Sequence, residues 1–209
     1  MAIMRRFVDV AGQAVVLTAL VAALPVQAAN GSLAAATGDM RAQYDPAARE
    51  TRVSGHAARG LCFSFRLPQK WHLNTDGPET GLESISSEAQ LGMSLRSAEA
   101  LRHLPQRDLA SRDAAFLQKD YEEVLGRPAQ SASLSSPVAG TVRWSATWID
   151  ANLPMPSRAI TVETFIVPLS AEWVLELTPA RVETPAAYEA IVQPLLAGLT
   201  VQSGAACQG

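Results

Sequence analysis

Alternation of apolar and polar positions first becomes sustained at Leu61, where Phe63, Phe65 and Leu67 share one face of a predicted strand and Ser64 and Arg66 the other. Pro68 stops that run, and Trp71 follows three residues later. Two more strands are predicted over 81–87 and 91–97, close enough to form a hairpin. The period then becomes helical. Ala110, Ala114, Leu117, Tyr121 and Val124 recur at intervals of 4, 3, 4 and 3, which predicts a helix over 108–125 with one apolar stripe. Asp108 or Ser111 can cap its start, and Gly126 followed by Pro128 ends it. Arg112, Lys119, Glu122 and Glu123 mark its solvated side. Glu122 and Glu123 point about 100° apart and read as charged helix surface, not as a catalytic pair.

After a serine-rich loop, Val142, Trp144, Ala146 and Trp148 alternate with Arg143, Ser145 and Thr147, the pattern of a strand covered on one side. A Pro-containing turn over 151–157 leads to a β-branched strand over 158–167, and Trp173, Leu175 and Leu177 share a face of another over 172–178. Thr184 as N-cap and Pro185 at the first helical position open a closing helix, whose buried side is Tyr188, Ile191, Leu195 and Leu199. Pro194 should kink it or end its regular part. A short last strand over 199–202 leads to Cys207. Residues 29–60 are small, polar and charged with little periodicity, and predict a flexible extension with at most a short strand near Arg52 and Val53. The globular domain is expected to occupy 61–209.

The first thirty residues change the setting. Arg5 and Arg6 precede an apolar run over 14–24, then Pro25 and the small-residue sequence Val26, Gln27, Ala28, the three-part pattern of a secretory signal peptide. Cleavage is expected after Ala28. The uncharged run is about eleven residues, against the roughly twenty that a membrane-spanning helix needs. No second candidate span follows, and the mature chain is expected to carry no transmembrane segment.

Cleavage leaves 181 of 209 residues, an ordinary size for one domain. Without Arg5, Arg6 and Asp9 the mature chain holds 15 basic and 19 acidic residues, and no block of one sign. That balance argues against nucleic acid and anionic membrane surfaces as partners. Cys62 and Cys207 are the only cysteines, and export would deliver them to an oxidising compartment, periplasm or medium. A disulfide between them is expected.

The run Phe63, Ser64, Phe65, Arg66, Leu67, Pro68, Gln69, Lys70, Trp71, the helix end over 121–125, the strand over 173–178 and the closing helix from Tyr188 to Leu199 resemble the PsbP/Mog1-like superfamily, including its small exported bacterial members. The resemblance covers about 61–202. It implies an α+β fold, an antiparallel sheet with helices packed against it as an α/β/α sandwich, used for binding and assembly more than for catalysis. It carries over no functional residue, because its members share a scaffold and not a site.

Candidate chemistry is sparse. His56, His72 and His103 are scattered and lack the short spacing of a metal site. No Gly-x-Ser-x-Gly elbow marks a hydrolase nucleophile, and no glycine-rich loop joins a strand to a helix to cradle a phosphate. No cofactor or catalytic residue is predicted. The four tryptophans, Trp71, Trp144, Trp148 and Trp173, admit two readings, core packing or a common aromatic groove. The first expectation for function is therefore a non-catalytic exported protein that binds a protein partner in the cell envelope. A binder of small ligands or envelope components through an aromatic sheet face is the alternative, and an envelope hydrolase without a recognisable motif is a lesser one.

Overall fold

The computed structural model describes residues 40–75, 80–150 and 158–207. The expected signal peptide, its cleavage after Ala28 and the turn over 151–157 lie outside the described residues. The strands are β1 (Arg41–Asp45), β2 (Glu50–Ala58), β3 (Leu61–Pro68), β4 (Trp71–Asn74), β5 (Thr80–Ser84), β6 (Gln90–Ser97), β7 (Ser131–Ser135), β8 (Val142–Ile149), β9 (Ala159–Pro168), β10 (Trp173–Ala180) and β11 (Thr200–Ser203). Helix α1 (Leu109–Leu125) joins β6 to β7, α2 (Pro185–Gly198) joins β10 to β11, and a 3-10 turn, Gly204–Cys207, follows.

The strands form two antiparallel sheets, one of four in the order β1-β2-β3-β11 and one of seven in the order β4-β5-β6-β10-β9-β8-β7. This β-rich architecture, with only two α-helices among the described residues, replaces the expected α/β/α sandwich. One apolar cluster is shared by both sheets and α2: Val53, Phe63, Phe65 and Leu67 from the small sheet, Leu82, Leu91, Met93, Leu175 and Leu177 from the large one, Ile191 and Leu195 from the helix. A second cluster lies between the other face of the large sheet and α1, built from Leu109, Ala110, Ala114, Leu117, Trp144, Trp148, Ile166 and Val174. One side of the large sheet is thus covered by a helix, and the other by a second sheet together with α2.

That second sheet includes residues expected to be a flexible extension. Residues 41–58 are two strands, and β2 has the clean alternation of a half-buried strand, with Thr51, Val53, Gly55 and Ala57 inward. Those inward residues are too small to register as an apolar pattern, because the bulk at this place comes from β3. A Cβ on Gly55 would stand 2.7 Å from Cζ of Phe63, its cross-strand partner. Gly55→Ala is therefore expected to displace a closely packed ring and lower stability by about 1–3 kcal/mol. A urea midpoint equal to that of the wild type would show that the ring yields freely.

Helix α1 starts where the sequence places it. Asp108 is the N-cap and accepts a hydrogen bond from the Ser111 N–H at 2.8 Å, while Gly126 closes the helix at φ 65°. That hydrogen bond holds the Asp108 carboxyl below the usual range. The apolar stripe is shorter than predicted: Val124 is exposed, and the buried positions are Leu109, Ala110, Asp113, Ala114 and Leu117. In α2, Thr184 caps and Pro185 leads as expected, but the helix continues through Pro194 to Gly198. Packing of Ile191, Val192 and Leu195 into the shared cluster offsets the one backbone hydrogen bond that the proline removes.

Candidate functional site

The four tryptophans do not line a common groove. Trp144 and Trp148 are buried under α1, where the Tyr121 ring lies 5.7 and 5.8 Å from theirs. Trp71 and Trp173 belong to the cluster on the opposite face of the large sheet. Trp71, Trp144 and Trp148 are buried and Trp173 is half-buried, so the four rings are divided between the two clusters.

The strongest electrostatic feature is also sealed. Glu176 lies on the central strand β10, Arg96 on β6 beside it and Asp113 on α1 above them, and Arg96 Nε donates to Asp113 Oδ1 at 2.9 Å and to Glu176 Oε1 at 2.7 Å. Ser94 donates to Glu176 Oε2, and the guanidinium sits 4.0 Å over the Phe116 ring. Burial, and then the nearby Glu176 charge, push the Asp113 carboxyl up to about 9, so it is protonated at neutral pH. Burial lowers the Arg96 pKa, but the Glu176 and Asp113 charges outweigh it and leave the guanidinium above its ordinary value. A perturbed carboxyl in a cleft would be a catalytic candidate. Asp113 has no exposed surface and Glu176 almost none, so no substrate reaches them. The cluster is a packing device. Sequence reading passed over it, although Asp113 falls beside Ala110, Ala114 and Leu117 on the buried side of α1, which was its one visible signal.

The accessible site lies where the β1–β2 turn meets the β3–β4 junction. Asp45 Oδ1 accepts the N–H groups of Ala47 and Ala48 at 2.8 and 3.3 Å, which shapes the turn that delivers Arg49. Arg49 has φ 55° and Gln69 φ 67°, both in the left-handed region that costs a non-glycine residue about 1 kcal/mol or more. The two are tied to each other, Gln69 N–H donating to the Arg49 carbonyl at 2.8 Å. The buried Thr51 hydroxyl donates to the Gln69 carbonyl at 2.8 Å and accepts the Trp71 N–H at 3.0 Å, and the Trp71 indole donates to the Pro68 carbonyl at 2.8 Å. Ser86 bonds the Gln69 side chain, and Ile85 N–H bonds the Lys70 carbonyl at 3.0 Å. Several hydrogen bonds thus brace a short, strained connection between the two sheets.

That frame presents an open concavity of about 350 Å³ lined by Tyr44, Arg49, Gln69, Lys70, Ile85 and Ser86. Lys70 Nζ stands 5.9 Å over the Tyr44 ring, and Ile85 is 57% exposed, an apolar side chain left uncovered beside two cations. Among the described residues neither Arg49 nor Lys70 has an ion-pair partner; the exposed Glu88 on the adjacent turn pairs with neither. Across the hairpin lies a second concavity, of about 420 Å³, in which Arg52 and Arg66 are cross-strand neighbours. Its charges balance: Glu50 pairs with Arg66 at 3.5 Å, and Asp45 contributes the other carboxylate. The first concavity alone combines unpaired cations, an aromatic ring and exposed apolar surface. Its chemistry suits an anionic group carried on an apolar or extended segment.

The histidines go elsewhere. His56 on β2 hydrogen-bonds the Cys207 carbonyl at 3.0 Å, and His72 on β4 lies 3.1 Å from Glu83. Among the described residues no group of His, Cys, Asp and Glu side chains is placed to hold a metal ion. Pro68 and the scarce lysine at position 70 were visible in the sequence, but the left-handed backbone at Arg49 and Gln69 leaves no sequence mark. Compared with known protein families, with curated proteins and with solved structures, the chain matches none.

Proposed function

We propose that the mature chain is a non-catalytic protein of the periplasm or extracellular medium that binds a protein partner, gripping an acidic, partly apolar segment between Arg49 and Lys70. The observation that carries this reading is the pair of cations without an acidic partner among the described residues, Lys70 over Tyr44 and Arg49 in the same concavity with exposed Ile85, held by a connection whose backbone strain is over-determined by hydrogen bonds. The Cys62–Cys207 disulfide supports export, and no helix among the described residues is long and apolar enough to cross a membrane. The one carboxyl raised above its usual range among the described residues, Asp113, is sealed from substrate, which supports a non-catalytic role. The PsbP/Mog1-like resemblance plays no part in the reading.

The test is capture of envelope proteins by the mature wild-type chain and by the double variant Arg49→Ala, Lys70→Ala, with bound proteins identified by mass. A partner held by the wild type is expected to bind the variant at least tenfold more weakly, and to be released from the wild type as salt rises past roughly 0.15 M. An identical set of partners on both proteins would overturn the site. Turnover of a substrate that survives in the double variant would overturn the function.

A further inference from the structure

The seven-stranded sheet ends in β7, and among the described residues no strand pairs with its outer edge. Natural edge strands are blunted by charge, proline, bulges or a covering segment. The other sheet ends follow that rule: β1 carries Arg41 and Asp45, β4 carries His72 and lies beside β1, and β11 is fastened by the disulfide at its end. Strand β7 reads Ser, Ala, Ser, Leu, Ser, without charge or proline, and is exposed at every position. Its pairing with β8 is in regular register from Ser131 opposite Thr147 to Ser135 opposite Arg143. The strand is held by β8 on one side, while alternate N–H and C=O groups on the other face outward without a ladder partner among the described residues.

A second observation lies on the helix-bearing face of the same edge. Leu134, 53% exposed, is the cross-strand neighbour of Trp144. Val124, 70% exposed, stands one helical turn beyond Tyr121, whose ring stacks on Trp144. Leu134 on the open strand is therefore left uncovered beside one member of an aromatic contact, and Val124 follows the other member along α1. The loop between them is fixed, because the Ala129 N–H donates to Glu122 Oε1 at 3.1 Å.

We propose that β7 pairs with β7 of a second copy, antiparallel about a two-fold axis at Ser133. That axis sets Ala132 opposite Leu134 of the second copy on the apolar face, and Ser131 opposite Ser135 on the other. The strand is compatible with itself because it has no charge to oppose its own image. The two seven-stranded sheets become one of fourteen, and both α1 helices lie on the same face. The exposed Leu134 side chain then borders the dyad, where the second copy covers it. This inference does not depend on the Arg49 and Lys70 site, which lies on other strands.

Sedimentation of the mature protein is expected to give twice the mass of one chain at micromolar concentration. Leu134→Lys is expected to give single chains with an unchanged far-ultraviolet spectrum, since the side chain it replaces is exposed in one chain. Ser133→Cys is expected to form a covalent dimer under mild oxidation, with Cys62–Cys207 intact by peptide mapping, and Ser145→Cys on β8 is not. Single chains in the wild type, a dimer that persists in Leu134→Lys, or a Ser133→Cys protein that fails to cross-link would each overturn the proposal. A different protein found paired on β7 of a monomeric chain would overturn it as well.

Discussion

Replacing Cys62 and Cys207 together by alanine is expected to lower the free energy of unfolding by about 4 kcal/mol, enough to leave a domain of this size marginal. The bond joins residues 145 apart in sequence, with Cα atoms 5.6 Å apart. In the chain-entropy account a loop of that length stabilises by roughly 5 kcal/mol, and measured bridges deliver somewhat less. Local structure says where the loss begins. Cys62 is on β3 and Cys207 closes the 3-10 turn after β11. All four β11 residues are exposed, so the strand is held by its ladder to β3, by the Ser64–Thr200 hydroxyl contact at 2.9 Å and by the staple beyond it. Without the bond, the end of the chain keeps only weak attachments up to α2, whose Ile191 and Leu195 remain in the core. Urea unfolding measures the total. Hydrogen exchange should show residues 200–207 losing protection first, with β3 and α2 following only on global unfolding. A double variant with the wild-type midpoint would show that the crosslink does not constrain the unfolded chain.

The elements legible in the sequence share one property: each buries a periodic set of large side chains. Strands β3, β6, β8, β9 and β10 and both helices were predicted within a few residues, because Phe63, Leu95, Trp148, Phe165 and Leu177 repeat at the period of their element. Strands β1, β4 and β7 were missed, and β2 was expected as at most a short strand near Arg52 and Val53; β4, four residues long, is too short to show a period. In β1 only Ala42 and Tyr44 are partly covered; in β2 the inward residues are small because Phe63 and Phe65 fill the space; in β7 no side chain is buried at all. Missing β1 and β2 turned a second sheet into a supposed extension, and with it an α+β sandwich into the wrong architecture. The candidate site was invisible for the same reason. Arg49 and Lys70 meet because a hairpin that carries no pattern folds against a junction that does.

The buried cluster was unreadable for a different reason. Glu176 and Arg96 occupy positions of β10 and β6 that would be solvent-facing if the sheet were covered on one side only, and α1 covers them. Coverage of both faces cannot be inferred from one strand's alternation. Polar residues on a doubly covered sheet must then be satisfied by one another, and Arg96 serves both carboxyl groups while Ser94 serves Glu176. The second oxygen of Asp113, Oδ2, is buried with no hydrogen-bond partner among the described residues. A carboxylate so placed is costly, and a protonated acid less so.

That protonation makes a large and specific effect expected on stability as pH changes. Asp113 ionises near its ordinary value in the unfolded chain but only at about 9 when folded, so the native state holds the extra proton across the interval. Stability from this group is greatest below pH 4, falls as pH rises through the interval, and levels off above the folded value, at a rate of roughly 1 kcal/mol per pH unit. Asp113→Asn mimics the protonated acid at every pH. The variant is expected to match or exceed the wild type in urea at pH 7, and the difference in its favour should grow from pH 5 to pH 9. Arg96→Met is the opposite case. It removes the guanidinium that bonds both buried carboxyl groups and leaves Glu176 with only Ser94, and is expected to cost about 3–5 kcal/mol at pH 7. The two variants together decide how charge is distributed in the cluster. If instead Asp113 were ionised when folded, Asp113→Asn would break a buried pair with Arg96, cost several kcal/mol at pH 7 and run parallel to the wild type between pH 5 and 9, and that result would overturn the assignment of the proton.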